Sequence, residues 1–575
     1  MLELILDVTI ALMALVATLI CGAPLIYRFC DRGSALTKMA LSFVLGYVLL
    51  SLVGILAVLL EVDPFLLQMG MVLLGGALAI HYRDRFIGGL DGDDRLVLGM
   101  AALYLLMGLF IFDRIIIWMG GDAIAHASII RMLLEGEKVP VSVYPFGSYW
   151  EYYPKSFHLY SSYWAGAFPV LNVIQTIPVL LSTITPLLLY SIVREMGRKN
   201  EAVYVFILAC FVFSTHYSYL IWGGYPHLAA EMVLVASLLA ILVDRRLLAL
   251  FLPSILFNHT RMLALAGGAL ITWGAFARQG RHFPLILALG GGLIAALLLI
   301  LPGVHPPEFL ISVVTSQELA SEYAARWYPA FLSLFGAAIA LQRRDGLDRL
   351  ALAWASSVIV ITLLADTGPL SFVGSADRLM LTLYLPLSVL GASALSMMDG
   401  ADRRRRASFI SILLLTGAAG MGTVFFSYGG SWGLPQEDYD AIMWLSDQRI
   451  SDPLLINLDE TGAWAYPMTG IGVLWPRGVP QGYGIPGEDA YWLLETIVWD
   501  PNNESLLEEM KETGYEDIII YISSVSISRP GHVPPFAEHH GAYPMVNLSF
   551  SEDHYDLLYD GGAKIFAVRR GLFSG

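Results

Sequence analysis

Charge is scarce in this chain. Only 14% of its 575 residues are charged, against 56% hydrophobic, where a soluble protein carries about 25% charged residues. Three cysteines, Cys21, Cys30 and Cys210, all fall in or beside apolar runs, which excludes zinc-ligand spacing and argues against a disulfide framework. No basic stripe accompanies the net charge of −15, so phosphates of a nucleic acid find no partner and a nucleic-acid function is excluded. Walker, Rossmann and HExxH signatures are absent, which leaves a nucleotide-sugar or ATP site unsupported. There is no low-complexity tract, no fixed-period repeat and no visible inverted pair of broken helices.

What is present is a succession of apolar runs of about 17–25 residues, the length that crosses a hydrocarbon core. The chain is therefore expected to be a polytopic α-helical membrane protein. Spans are expected near 3–27, 39–60, 64–81, 96–118, 169–192, 201–220, 227–243, 247–257, 262–277, 283–301, 328–342, 350–366, 379–397 and 407–427, about 13–14 segments in all. The first has no basic n-region and is too long for a signal-peptide core, so it reads as a retained helix. The run 247–257 rises only about 17 Å, so it and 262–277 form a tilted, broken or re-entrant element.

Basic residues punctuate the spans at Arg28, Arg32 and Lys38, at Arg83, Arg85 and Arg95, at Arg194, Arg198 and Lys199, at Arg245 and Arg246, at Arg278 and Arg281, at Arg343 and Arg344, and at Arg403 to Arg406. Alternating spans put every cluster on one side, which the positive-inside rule makes cytoplasmic. Both termini and the loops 119–168 and 302–327 are then expected outside a cell membrane. After residue 428 the composition changes. "QEDYDAIMWLSDQ" reads as an amphipathic helix, "PLLINL" and "EDIIIYISS" as buried strands, "NNESLLEEMKETG" as an Asn-capped helix and "AKIFAVRR" as a last strand. Residues 429–575 are expected to form an extracytoplasmic α/β or α+β domain.

Ionisable residues mark one end of this architecture. "GGDAIAHASIIRMLLEGEKVP" places Asp122 and His126 one helical turn apart, on a face expected to point inward. An unpaired carboxylate there is costly, although Asp122 also suits a helix N-terminus as a capping anion. The same loop continues through Tyr152, Tyr153, Lys155 and His158 among dense aromatics, as in an interfacial belt. "FNHTRMLAL" interrupts an apolar run with Asn258, His259, Thr260 and Arg261. It is either an external hairpin tip or a phosphate-holding site. His227 in "GGYPH", Asp377 and Arg378 in "VGSADRLM", and Arg326 lie at the same ends of their spans, while Glu318 and Glu322 read as a solvated face. Sequons at Asn258, Asn503 and Asn547 are short enough to arise by chance.

An apolar helix followed by "GDAIAHASIIRMLLEG" and then "YYPKSFH" on a long aromatic loop resembles the first external loop of GT-C glycosyltransferases. This superfamily includes protein O-mannosyltransferases, aminoarabinose lipid A transferases and oligosaccharyltransferase catalytic subunits. The resemblance covers residues 96–575, with 96–428 as transmembrane core and 1–95 as additional helices. It implies transfer of a sugar from a polyprenyl-phosphate carrier to an acceptor on the outer face, with inversion. Carried onto this sequence, it makes Asp122 the general base, with His126 beside it. Candidates to hold the donor phosphate are Arg261, Arg378, Lys155 and His158, and to hold the sugar Tyr152, Tyr153, His227 and His259. Ala123 stands where several members carry a second acid, and the WWDYG signature is absent from the C-terminal region. No metal ligands are assigned; a divalent cation would need Glu151 or Asp377 to join Asp122 through the tertiary fold. The acceptor, whether protein, lipid or glycan, is not specified. Two other readings fit the same residues: a noncatalytic GT-C-like assembly protein, and a transporter of lipid or solute.

Overall fold

The computed structural model describes residues 2–81, 89–114, 121–136, 155–213, 219–220, 223–259, 262–276, 327–343, 345–366, 376–399, 403–428, 433–448, 450, 453–458, 461–474, 493, 496–498, 500–512, 515, 517–528 and 549–569. Among these, eight helices are long and apolar enough to cross a membrane, and three shorter apolar helices accompany them. Helices α1 (Leu2–Phe29), α2 (Ala35–Leu59), α3 (Pro64–His81) and α4 (Gly92–Arg114) open the chain. The shorter helices α5 (Gly121–Leu134) and α6 (Ser156–Ala165) follow, then α7 (Val170–Glu195) and α8 (Lys199–Ile207), which runs on as a π-turn over Leu208–Val212. Next come α9 (Tyr225–Val243), α10 (Leu248–Asn258), α11 (Met262–Phe276), α12 (Trp327–Arg343), α13 (Gly346–Asp366), α14 (Ala376–Leu381), α15 (Tyr384–Asp399) and α16 (Arg403–Tyr428). The expected span 283–301 lies outside the described residues.

Why these helices pack as they do follows from their surfaces. α7 and α9 are predominantly apolar, buried along nearly their whole length, and sit inside the bundle. α3 is apolar but mostly exposed, as a lipid-facing helix is. α1 and α2 cross in backbone contact: a Cβ on Gly22 would stand 1.9 Å from the Ser42 carbonyl oxygen, and one on Gly46 1.8 Å from that of Thr18. Without a hydrophobic drive between helices in lipid, such close approach supplies the packing.

The basic loops meet at one end. Arg194 reaches Asp91 at 2.8 Å and also binds the buried Asp94, to which Tyr190 donates. Arg198 pairs with Glu201 and Asp348 at 3.0 Å each and with Asp345, and Arg343 reaches Glu201 at 2.9 Å. Arg246 donates to the Phe29 carbonyl at the end of α1, 2.6 Å away. These pairs close the bundle around its arginine-rich rim.

The C-terminal region begins with α17 (Gln436–Asp447) and the short α18 (Ala465–Thr469), and contains a five-stranded mixed sheet. Its strands are β1 (Pro453–Asn457), β2 (Gly472–Val473), β3 (Asp517–Ile522), β4 (Tyr555–Gly561) and β5 (Ala563–Val568), in the order β2-β1-β3-β5-β4. The β2-β1-β3 pairings are parallel and the β3-β5-β4 pairings antiparallel. Leu454, Ile456, Ile518 and Ile520 point to one face, where helix α19 (Glu504–Glu512) covers them with Leu506 and Met510. Leu455, Ile519 and Tyr521 point to the other and join the core of the bundle. Burial on both faces explains why these strands read as unbroken apolar runs. β4 carries no such run, because it is an exposed edge strand defined by its pairing with β5. Asn503 starts α19 by accepting from the Ser505 amide at 2.9 Å.

Candidate functional site

At the end opposite the arginine rim, α5 starts at Gly121 and carries Asp122, half-buried, in its first turn. The "GGYPH" turn presses on that start. Gly223 has φ +86, and a Cβ there would meet the Ala123 nitrogen at 2.4 Å. Only glycine accepts both the backbone angle and the approach. Pro226 then opens α9, as suits a first helical turn, directly after Tyr225.

One turn into α5, His126 is buried against α6. Its Nδ1 lies 2.9 Å from Nε2 of His158, so one ring donates and the other accepts. Tyr225 packs on His126 and on Phe157 with ring centres 5.8 Å apart in each case. The structure thus joins two residues from separate stretches, His126 and His158, in one hydrogen bond. α6 is itself held by the first three helices. Gln68 donates to the Leu159 carbonyl at 2.9 Å, Ser51 to that of Ser156 at 3.3 Å, and Thr18 and Tyr160 share a hydrogen bond of 2.7 Å. The N-terminal helices therefore brace the helix that carries His158. Lys155 stands just before α6, and burial pushes its ammonium down to about 8.

A second group lies where α9 and α10 meet. His227 is stacked on Tyr219, ring centres 4.9 Å apart, and meets the edge of His259 at 5.0 Å. The adjacent Asn258 is fully buried and accepts from Tyr47, so in the folded chain its sequon is inaccessible. One turn beyond His227, Glu231 is completely buried and accepts from Tyr384 on α15. Glu231 has no counterpart among the sequence candidates. The signal was a single carboxylate inside "AAEMVLVAS", and an ionisable group at that depth points to a function.

The far end of α5 is gripped by the C-terminal region. Arg131 and Glu135 pair at 2.6 Å, Tyr466 donates to Glu135 at 3.0 Å, and Arg131 reaches the Thr469 carbonyl at 3.4 Å. Both ends of the helix bearing Asp122 and His126 are thus fixed. Arg378 lies on α14, with its side chain outside the description; Tyr152, Tyr153 and Arg261 lie outside the described residues. Among the described residues, no three His, Cys, Asp or Glu side chains gather as a metal site.

Fold and site define a polytopic helical membrane protein with ionisable residues gathered at its arginine-poor end and a small C-terminal sheet beside them. No family model matches the chain, and no curated protein matches it. Among solved structures it is similar to the Archaeoglobus fulgidus oligosaccharyltransferase, a GT-C enzyme. With the form tethered to an acceptor peptide containing the NVT sequon, the likeness covers 80% of this chain and 72% of that one, at 13% identity and a TM-score of 0.49. With the form in complex with Zn and sulfate it covers 75% and 68%, at 14% identity and a TM-score of 0.48.

Proposed function

We propose that this chain is a GT-C-type glycosyltransferase that moves a sugar from a polyprenyl-phosphate-linked donor to an acceptor hydroxyl or amide at the arginine-poor, outward end. The observation that carries the reading is the meeting of His126, His158 and Tyr225, from three separate helices, one turn from Asp122 at the start of α5. Asp122 accepts the acceptor's proton as its oxygen or nitrogen attacks the anomeric carbon. The bond from that carbon to the phosphate oxygen breaks, the carbon inverts, and the carrier phosphate departs with the bonding electrons. Its charge needs donors already in place. Lys155, His158, Arg261 and Arg378 supply them in this reading. The His126–His158 contact allows a proton on one ring to be shared with the other. Tyr152, Tyr153, His227 and His259 hold the sugar. Residues 429–575 form an outer domain on a transmembrane core of 96–428, and helices within 1–95 support α6.

Transfer from a lipid-linked sugar by purified protein in liposomes tests the activity. Covalent product supports it; movement of lipid without product would replace it with the transporter reading. Sidedness has its own test in intact cells. Ser505→Cys, on an exposed position of α19, should label with an impermeant thiol reagent, whereas Arg245→Cys, exposed on the basic rim, should not. The opposite pattern inverts the topology.

Lys155 makes the reaction pH-dependent. Its ammonium, pushed down to about 8 by burial, loses its proton through that range, so donor affinity should fall as pH rises past it. Lys155→Arg keeps its charge, and the fall should move to higher pH. An unchanged profile removes Lys155 from the phosphate site. The same shift has the opposite sign for stability: between about 8 and the ordinary lysine value the unfolded chain binds the extra proton, so this residue's contribution to folding rises with pH there.

A further inference from the structure

Glu231 takes no part in the chemistry above, yet it sits completely buried in a helix whose other residues there are apolar. Its carboxyl lies among phenols. Tyr384, from α15, donates to Oε1, and the hydroxyl of Tyr219 lies beside the same carboxyl. The ring of Tyr219 is in turn stacked on His227, 4.9 Å between centres and 26° between planes. His227 meets His259 edge-on at 5.0 Å, and the neighbouring Asn258 is held by Tyr47 of α2. A single chain of contacts therefore runs from α15 through Glu231, Tyr219 and His227 to the end of α10.

The order of this chain is informative. The hydrogen bond from Tyr384 fixes the carboxyl in direction as well as distance, with the Tyr219 hydroxyl beside it. Apolar residues at position 231 could fill the space but could not orient Tyr219. The Tyr219 ring, once oriented, fixes the plane against which the His227 imidazole lies. His126 and Asp122 are anchored separately, by α6 and by the Arg131–Glu135–Tyr466 contacts.

We propose that Glu231 is a positioning residue, which through Tyr384 and Tyr219 holds the imidazoles of His227 and His259 in place for the sugar-phosphate donor. The donor part rests on the transferase reading above; the positioning of the imidazoles does not. Because α5 has its own anchors, loss of Glu231 should act on donor binding more than on turnover. Glutamine keeps an acceptor for Tyr384 and offers its amide to Tyr219, so it should rescue what leucine loses.

The test uses the full-length protein with carbon-13-labelled histidine. The His227 resonance is assigned by its loss in His227→Asn, and thermal unfolding is followed throughout. In Glu231→Leu and in Tyr384→Phe the His227 resonance should move, and KM for a polyprenyl-phosphate sugar should rise about tenfold, the scale of one lost buried hydrogen bond. kcat per folded molecule should change by less than about threefold. Glu231→Gln should leave the resonance in place and recover most of the affinity. The Glu231→Leu/Tyr384→Phe double variant should be no worse than Glu231→Leu alone. Tyr384→Phe, which deletes one oxygen, carries the test where Glu231→Leu does not fold. A His227 resonance that stays put in either variant overturns the proposal, as does a Glu231→Gln protein as impaired as the leucine one. If the unmodified protein transfers no sugar, the transferase reading fails, and the resonance still decides whether Glu231 positions His227.

Discussion

Asp122→Asn is expected to give a folded protein that binds donor and turns over at least about 10²-fold more slowly. The amide keeps the shape of the carboxylate and caps a helix about as well, so the start of α5 and its contact with Gly223 should survive. What it cannot do is take the acceptor's proton. A purely structural Asp122 predicts the reverse: some loss of thermal stability with turnover kept. Transfer from a lipid-linked sugar, measured beside thermal unfolding, separates the two. Normal turnover in a stable Asp122→Asn protein would falsify the catalytic role and leave Asp122 as a helix cap.

The largest effect on stability is expected at the other end of the bundle. Arg194 is 9% exposed at its side chain and Asp94 0%. Arg194→Leu leaves the Asp94 carboxylate buried with the Tyr190 hydroxyl but without its cation. Breaking a buried pair in this way costs about 3–5 kcal/mol, most of it the stranded charge rather than the lost attraction. Removing the charge as well should recover most of the loss, so Arg194→Leu/Asp94→Leu is expected to unfold closer to the unmodified protein than Arg194→Leu alone does. Thermal unfolding in detergent reads both. A double variant as unstable as the single one would mean that Arg194 holds α7 by contacts other than Asp94.

Much of the helical architecture was legible because the bilayer imposes it. A backbone in hydrocarbon must satisfy its own hydrogen bonds, so length and hydropathy alone locate α1, α2, α3, α7, α9, α13 and α15. The strands β1 and β3 were legible for a similar reason, since burial on both faces writes an apolar run. β4 was not, because an exposed edge strand is chosen by its partner and its own residues carry no apolar pattern.

Within the candidate site, chemistry and placement divide in the same way. The sequence by itself determined which side chains could act. Asp122 and His126 share a helical face by spacing, and Lys155, His158, His227 and His259 are polar interruptions at span ends. Only the tertiary structure decided which of them meet. His126 and His158 are 32 positions apart, yet hydrogen-bonded; His227 and His259 touch through different helices; Glu231 finds Tyr384 from 153 positions away. Helical periodicity reports a residue's neighbours within about two turns. Contacts between helices depend instead on how ridges, glycines and buried polar groups fix their crossing and depth, and that information is spread over every helix in the bundle.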